Sequence, residues 1–304
     1  MKQILLSIRM LLRFKVYTFI NFTGLVFSIS CALIIARYIH QENNVDHFCP
    51  ELERTFLMTT VMDNGQTYLS GSIDPNKDPN YRNPLSDPCV EKVSQFMLFS
   101  DDYVIVDGRR FTVQAMATDS LYLDMMPHPV IAGKHTLNTP NDAIITYKLA
   151  KRLFKNENPI GKTLKVSTGD VVTVTGVIDE PSTKASVQFE IIISKNLRNS
   201  WSRMASELVQ LHRAEDVTEL NKKNQKPMEL LAYGKRPIFY QLTSLKDFYM
   251  NHNLLVYDKV LRGNRTSLSI LTIVAILLLL VGIFNYVNLH TVVMLRRARE
   301  FGIK

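Results

Sequence analysis

The sequence predicts a fold that is membrane α-helical plus α+β: two transmembrane helices bracketing an extracytoplasmic α+β domain. Three observations predict it. Val16–Ala36 and Thr266–Leu295 are uncharged apolar runs long enough to cross a bilayer. Basic residues crowd the terminal flank of each run, and the long stretch between them alternates strand-like and helix-like patterns closed off by turn signals.

Residues 1–15 place Ile4, Leu5, Ile8, Leu11 and Leu12 at helical spacing among Lys2, Arg9, Arg13 and Lys15. Two readings fit, an interfacial amphipathic helix or the charged front of a membrane anchor, and both keep this end cytoplasmic. The first span covers 16–39. Its uncharged part exceeds the roughly 7 to 15 apolar residues of a cleavable signal peptide, so it reads as a permanent signal anchor. The second span, 266–295, would reach roughly 45 Å as a helix against a hydrocarbon core of about 30 Å, leaving length for tilt or a projecting turn. Arg296, Arg297, Arg299 and Lys304 follow it and should stay cytoplasmic under the positive-inside bias. Lys259, Arg262 and Arg265 run against that bias, but they end a loop far longer than about 60 residues, and such loops cross largely regardless of charge. Both termini are therefore expected inside and residues 40–262 outside. Within the second run, Gly282, Asn285 and Asn288 are spaced i, i+3, i+6 down roughly one side; amides in lipid need partners, so this is expected to be a helix-packing face.

The formal charge of +8 suggests nucleic acid until it is located. The excess sits at the membrane flanks, and residues 38–290 hold equal numbers of basic and acidic side chains, so the partner implied is membrane lipid and not nucleic acid. At 46% hydrophobic and 21% charged the chain has the composition of a folded protein. Of Cys31, Cys49 and Cys89, only the last two could pair in an exported domain. Their spacing resembles neither a disulfide framework nor a zinc site, so unpaired thiols are the default.

In the outer region, Thr55–Met62 and Gln66–Ser70 flank the turn Asp63-Asn64-Gly65 and read as a hairpin. Asp74–Pro88, with four prolines, reads as a surface loop. Asp87, Pro88 and Glu91 read as the cap and first turn of a helix running to about Phe99, with Val90, Val93, Phe96 and Met97 on its buried face. Tyr103–Val106 and Phe111–Ala117 form a second hairpin about Asp107-Gly108. A short helix carries Leu149 and Leu153. Val171–Ile178, Gln188–Ser194, Glu207–Leu211 and Pro237–Thr243 read as strands, and Ala214–Asn224 as a polar helix. The pattern suggests an α+β layer with its sheet covered on one face.

The chain lacks a His-Glu-x-x-His pair, a Gly-x-Ser-x-Gly elbow and a dinucleotide fingerprint. Gly161-Lys162-Thr163 mimics a phosphate loop, but Asn156 stands where the required first glycine would be, and a strand follows. His40, Glu42, Asp46 and His47 approach a metal cluster without a recognised ligand spacing and read as a solvated stalk. Asp101 and Asp102 read as solvated loop acids. No catalytic residue and no enzyme activity are expected.

Three runs carry a family resemblance. GIFNYVNLHTVVMLRRAREFGIK resembles the segment that, in FtsX/MacB-like ABC transporter permeases, ends the second membrane helix and begins the loop that meets the ATPase. NFTGLVFSISCALIIARYIHQENNVDHF resembles the first membrane helix and stalk of that family, with Asp46 and Phe48 where it commonly has Asp and Phe. AIITYKLAKRLFKNENPIGKTLK and the strand after it resemble the middle of its extracytoplasmic core domain.

The resemblance implies a porter-like subdomain with a strand-rich insert at about 107–186. It implies a permease subunit of the bacterial inner membrane, which couples ATP hydrolysis by a separate ABC ATPase to movement of the outer domain, for efflux or export, without the substrate crossing this subunit. Residues 296–304 would begin the coupling region, with contacts at Arg296, Arg297, Arg299, Glu300, Phe301 and Gly302. The implied partners are the ATPase, a second permease subunit in a dimer and a periplasmic adaptor. No cofactor is expected in this chain, ATP being bound by the ATPase. Two further membrane helices normally follow in the family, so a C-terminally truncated permease is expected. The alternative is a two-span receptor with an extracytoplasmic sensor and a truncated output module; the runs at 143–178 and 281–304 favour the permease.

Overall fold

The structure is a computed structural model that describes residues 15–69, 83–197, 205–225, 227–229, 237–255 and 260–302. The amphipathic segment at 1–14, most of the proline-rich loop and the last two residues lie outside the described residues. The chain divides into two units, 1–43 with 264–304, and 44–263.

The first unit is a pair of long helices, α1 (Lys15–Asn43) and α6 (Arg265–Gly302). Their apolar parts, Phe19–Asn43 and Arg265–Asn288, have mean hydropathies of 2.1 and 2.8. Phe19, Phe27 and Phe284 are each at least 65% exposed. A core helix of a soluble protein would hide such rings, whereas a membrane helix turns them to lipid. Asn264 starts α6, its Oδ1 accepting from the Ser267 backbone N–H at 3.0 Å. The hydroxyls of Ser269 and Thr272 each donate to the carbonyl four residues back, at 2.9 and 2.8 Å, so neither polar group meets lipid unpaired.

The second unit is built on one sheet of 13 strands among the described residues. These are β1 (Thr55–Met62), β2 (Thr67–Leu69), β3 (Val90–Val106), β4 (Arg109–Thr118), β5 (Val130–Gly133), β6 (Asp142–Thr146), β7 (Thr163–Val166), β8 (Val171–Ile178), β9 (Ile191–Ser194), β10 (Ser206–Leu211), β11 (Met228–Glu229), β12 (Pro237–Ser244) and β13 (Leu254–Leu255). The order is β11-β12-β1-β10-β3-β4-β9-β6-β8-β5, with β2 joining β1 to β13 and β7 joining β3 to β8. Four short helices punctuate it: α2 (Leu121–Met125), α3 (Tyr147–Phe154), α4 (Asp216–Lys223) and α5 (Leu245–Phe248).

The expected helix from Asp87 to Phe99 is instead the first half of β3. Asp87 does bond forward, its Oδ1 accepting from Cys89 N–H at 3.1 Å, but that closes a turn, and the chain then extends for 17 residues. Residues 90–96 pair with β10 and residues 96–106 with β4, with a bulge between Phe99 and Asp102. Val90, Val93, Phe96 and Met97 suit a helical stripe by spacing alone; the hydrogen-bonding partners that fix them as a strand lie far off in sequence.

A second expectation also fails, since the central strands are covered on both faces. On one face Leu57, Phe96, Met116, Ile144, Ile192 and Leu208 join Tyr122, Phe189 and Phe248 in a continuous core. The other face is split. Phe56, Met58, Val209 and Tyr240 pack with Leu220 of α4, while Ala115, Ile145, Ile191 and Val174 pack with Leu149 and Phe154 of α3. This explains why β9 and β10 are buried at every position and do not alternate.

Local signals hold where the turn chemistry is strong. Asp107 and Gly108 adopt φ of 48° and 73°, the left-handed pair of a two-residue hairpin that sets Val106 opposite Arg109. Thr146 caps α3, its Oγ1 accepting from Leu149 N–H at 3.2 Å.

Candidate functional site

No cluster of three or more His, Cys, Asp or Glu is placed to hold a metal among the described residues. A cleft between α3 and β5 measures about 140 Å³, below the several hundred Å³ usual for a small-molecule site. Cys49 and Cys89 belong to cores on opposite faces of the sheet, and both thiols are free. Burial pushes the Cys89 thiol up to about 11, so it stays protonated and unreactive. Two features stand out in the described residues: the junction where the outer domain begins and ends, and the seam between the helices.

At the junction the incoming chain turns sharply at Asp46, whose φ is 63°. Its backbone N–H donates to the Lys184 carbonyl at 2.8 Å, and its Oδ1 accepts from the Ser186 N–H at 2.8 Å. Phe48 N–H donates to Thr183 Oγ1 at 3.1 Å. The outgoing chain uses the same loop, since Leu261 N–H donates to the Ser186 carbonyl at 2.8 Å. Gly263 N–H then donates to the Tyr249 carbonyl at 2.9 Å, and Tyr249 OH accepts from Lys184 Nζ at 2.7 Å. Residues 183–186, between β8 and β9, thus fasten both ends of the domain.

The close fit has a side-chain cause. A Cβ on Gly263 would sit 2.4 Å from Tyr249 Cε1 and 2.5 Å from Met250 Sδ, so only glycine lets the outgoing chain pass. Phe48 carries the junction inward, its ring 5.3 Å from that of His128, which lies 5.2 Å from Phe189 in the main core. Burial pushes the His128 imidazole down, so it is a neutral packing group.

The solvated stalk expected from the sequence is corrected here, because Asp46 is 0% exposed. Its Oδ2 and the Ser186 hydroxyl are buried without a partner. Burial raises the Asp46 carboxyl to about 6. The signal missed was the Asp itself, at the end of an apolar helix where a left-handed turn and a backbone N–H acceptor are both needed.

Along the helix seam, the less exposed positions of α6 are Leu268, Leu271, Ala275, Leu278, Gly282 and Asn285, a 3-4 repeat. Opposite them α1 presents Gly24, Ser28 and Ala32, small residues four apart. A Cβ on Gly24 would lie 2.7 Å from Asn285 Nδ2, and one on Gly282 would lie 3.3 Å from Ser28 Cβ. Ser28 Oγ donates to the Gly24 carbonyl at 2.7 Å. This small-residue row was legible as GLVFSISCA and was overlooked. Asn288 does not join Gly282 and Asn285. It is exposed, because six residues at about 100° each leave it roughly 120° around the helix from Gly282. The backbone of Arg296, Arg297, Arg299, Glu300, Phe301 and Gly302 continues α6 as helix; their side chains lie outside the described residues.

A strand-rich α+β domain flanked by two apolar helices and fastened at one loop defines a membrane-anchored extracytoplasmic module. Comparison with known proteins gives its family. Residues 18–225 match the MacB-like periplasmic core domain, and the chain belongs to that family, that of MacB-like ABC transporter permeases. Over 164 residues, 53% of this chain, it is 26% identical to the "Probable syringafactin export ATP-binding/permease protein SyfD" of Pseudomonas syringae pv. tomato, and it spans 23% of that protein's length. Its fold is shared with a solved domain of a "putative Permease protein" from Porphyromonas gingivalis, at 17% identity and a TM-score of 0.51, covering 64% of this chain and 92% of that one. The periplasmic region of MacB from Actinobacillus actinomycetemcomitans is 18% identical with a TM-score of 0.43, covering 62% of this chain and 88% of that one.

Proposed function

We propose that this chain is the outer-domain-bearing part of an ABC exporter's permease subunit, with both termini cytoplasmic. A separate ATPase engages the end of α6 at Arg296–Gly302, and its cycle moves the helix pair. Covalent continuity through Asn43–Asn44 and Gly263–Asn264 delivers that motion to the outer domain. The observation that carries the reading is that Asp46 and Leu261 are bonded to the same short loop, residues 184–186. A displacement of either span reaches one point next to the main core, and a packed core transmits a displacement rather than absorbing it. The chemistry of ATP belongs to the partner, and this chain needs no cofactor to act as a lever. A second permease copy and a periplasmic adaptor complete the assembly in this reading.

The test is co-purification of the protein, in its natural reading frame, with the ABC ATPase encoded beside it. Capture is expected, and Arg296→Glu with Arg297→Glu should abolish it while leaving the melting of the outer domain unchanged. Failure of the unaltered protein to capture the ATPase would overturn the reading in favour of a two-span receptor.

A further inference from the structure

We propose that Asp46 is a proton-operated latch: a proton on its buried carboxyl group tightens the grip of the incoming turn on the 183–186 loop, and release of that proton loosens it. The inference rests on the proposed role of this junction in carrying motion, and it adds the condition under which the junction is stiff.

The geometry sets the asymmetry. Asp46 Oδ1 has a donor, the Ser186 N–H at 2.8 Å. Oδ2 and the Ser186 hydroxyl oxygen are both buried and both lack a partner. An ionised carboxylate therefore holds its charge away from water with one of its two oxygens unserved, which is the costly arrangement for a buried anion. A proton on the carboxyl group removes the buried charge, and this effect of burial outweighs the Ser186 side chain and backbone N–H, both of which favour the ionised form. The same peptide segment holds the outgoing chain through the Ser186 carbonyl, so tightening at Ser186 is felt at Leu261 as well.

The surrounding titratable groups leave the switch to Asp46. His47, next in the chain, favours the ionised form by its charge, and its Nδ1 lies 3.1 Å from the Val45 carbonyl. Cys49 on the incoming turn and Tyr122 on α2 are both held protonated by burial, with the Asp46 charge adding to the effect. Lys184 Nζ is bonded to Tyr249 OH, and Arg262 on the outgoing segment donates to the Leu254 carbonyl at 3.3 Å and lies over the Phe248 ring.

The sign follows from linkage. The closed latch binds the proton more tightly than the open one, its carboxyl being raised from 3.8 to about 6 by burial. Closure is therefore fully favoured below pH 3.8 and that advantage is lost as pH rises through 6. Between pH 5 and pH 7.5 the closing equilibrium should fall by about tenfold.

The experiment is hydrogen exchange on the full chain in lipid nanodiscs, following the amides of Asp46, Ser186 and Leu261 after correction for intrinsic rates. Protection about tenfold higher at pH 5 than at pH 7.5 is expected, with core amides such as Ile144 and Val209 unchanged. Asp46→Asn should flatten the profile, and His47→Gln should keep it. Ser186→Ala, which removes a side chain that favours the ionised carboxylate but keeps the backbone bonds, should widen the ratio, and this tests the latch even if Asp46→Asn fails to fold. A flat profile in the unaltered protein, or a retained slope in Asp46→Asn, overturns the latch. The readout needs no ATPase, so it stands or falls separately from the capture test of the permease reading.

Discussion

Replacing Gly263 by alanine tests the junction with one carbon atom. The added Cβ would meet Tyr249 Cε1 at 2.4 Å and Met250 Sδ at 2.5 Å, where ordinary contacts are 3.4–4 Å, so the tyrosine ring must retreat by about 1 Å. Tyr249 is only 4% exposed, so retreat means overpacking, at about 1–3 kcal/mol. The Met250 sulfur must give way as well, and movement of the ring draws Tyr249 OH off Lys184 Nζ, which places the cost near the upper end. For a domain of this size 2–3 kcal/mol lowers Tm by roughly 4 to 12 °C. Thermal unfolding of the full chain in detergent micelles, read by near-UV circular dichroism, measures it. The double variant Tyr249→Ala/Gly263→Ala should recover part of the loss, with a coupling energy of about 0.5–3 kcal/mol, because the clash partner is gone. A Gly263→Ala protein as stable as the original, or strict additivity in the double variant, would refute the argument that this glycine exists for the passage of the outgoing chain.

Other outcomes follow from the same structure. In a background with Cys31 replaced, Ser28→Cys/Gly282→Cys should form an intramolecular disulfide on mild oxidation, since the 3.3 Å separation of the Ser28 Cβ from the Cβ built at Gly282 is close to that of natural bridges; Ser28→Cys/Asn288→Cys should not, and gel mobility with and without reductant distinguishes them. Leu149→Ala, at a position with 0% exposure under α3, should cost about 2–5 kcal/mol in chemical denaturation, and a loss below 1 kcal/mol would mean that α3 does not seal that face. Thr146→Ala should cost about 1 kcal/mol by removing the helix cap. The Cys89 N–H and then Lys223 hold the Asp87 carboxyl down at about 2. Its contribution is therefore present above pH 3.8 and lost as pH falls through 2, and acid titration of Asp87→Asn should lack that segment of the stability profile.

The sequence by itself determined the features written in local chemistry. Charge-free length marked both spans, Asp107-Gly108 set a hairpin that only left-handed residues can turn, and the apolar stripe of Leu149 and Leu153 marked α3 as a helix. The MacB-like character of the stalk and middle runs was legible as well, and the match over residues 18–225 bears it out.

Tertiary structure decided what depends on partners distant along the chain. Val90, Val93, Phe96 and Met97 satisfy a helical stripe and a strand equally well, and only β10 and β4 resolve the choice. Whether a sheet face is covered depends on where α2, α3, α4 and α5 return to it, which no short window of sequence encodes. Gly282 and Asn285 carry the requirement for a close partner in their composition, and GLVFSISCA offers a row of small residues, yet only the fold pairs the two. Asp46 looks like any stalk acid until the 183–186 loop closes over it, because burial is a property of what surrounds a residue, and desolvation rather than residue type sets the energy of its charge.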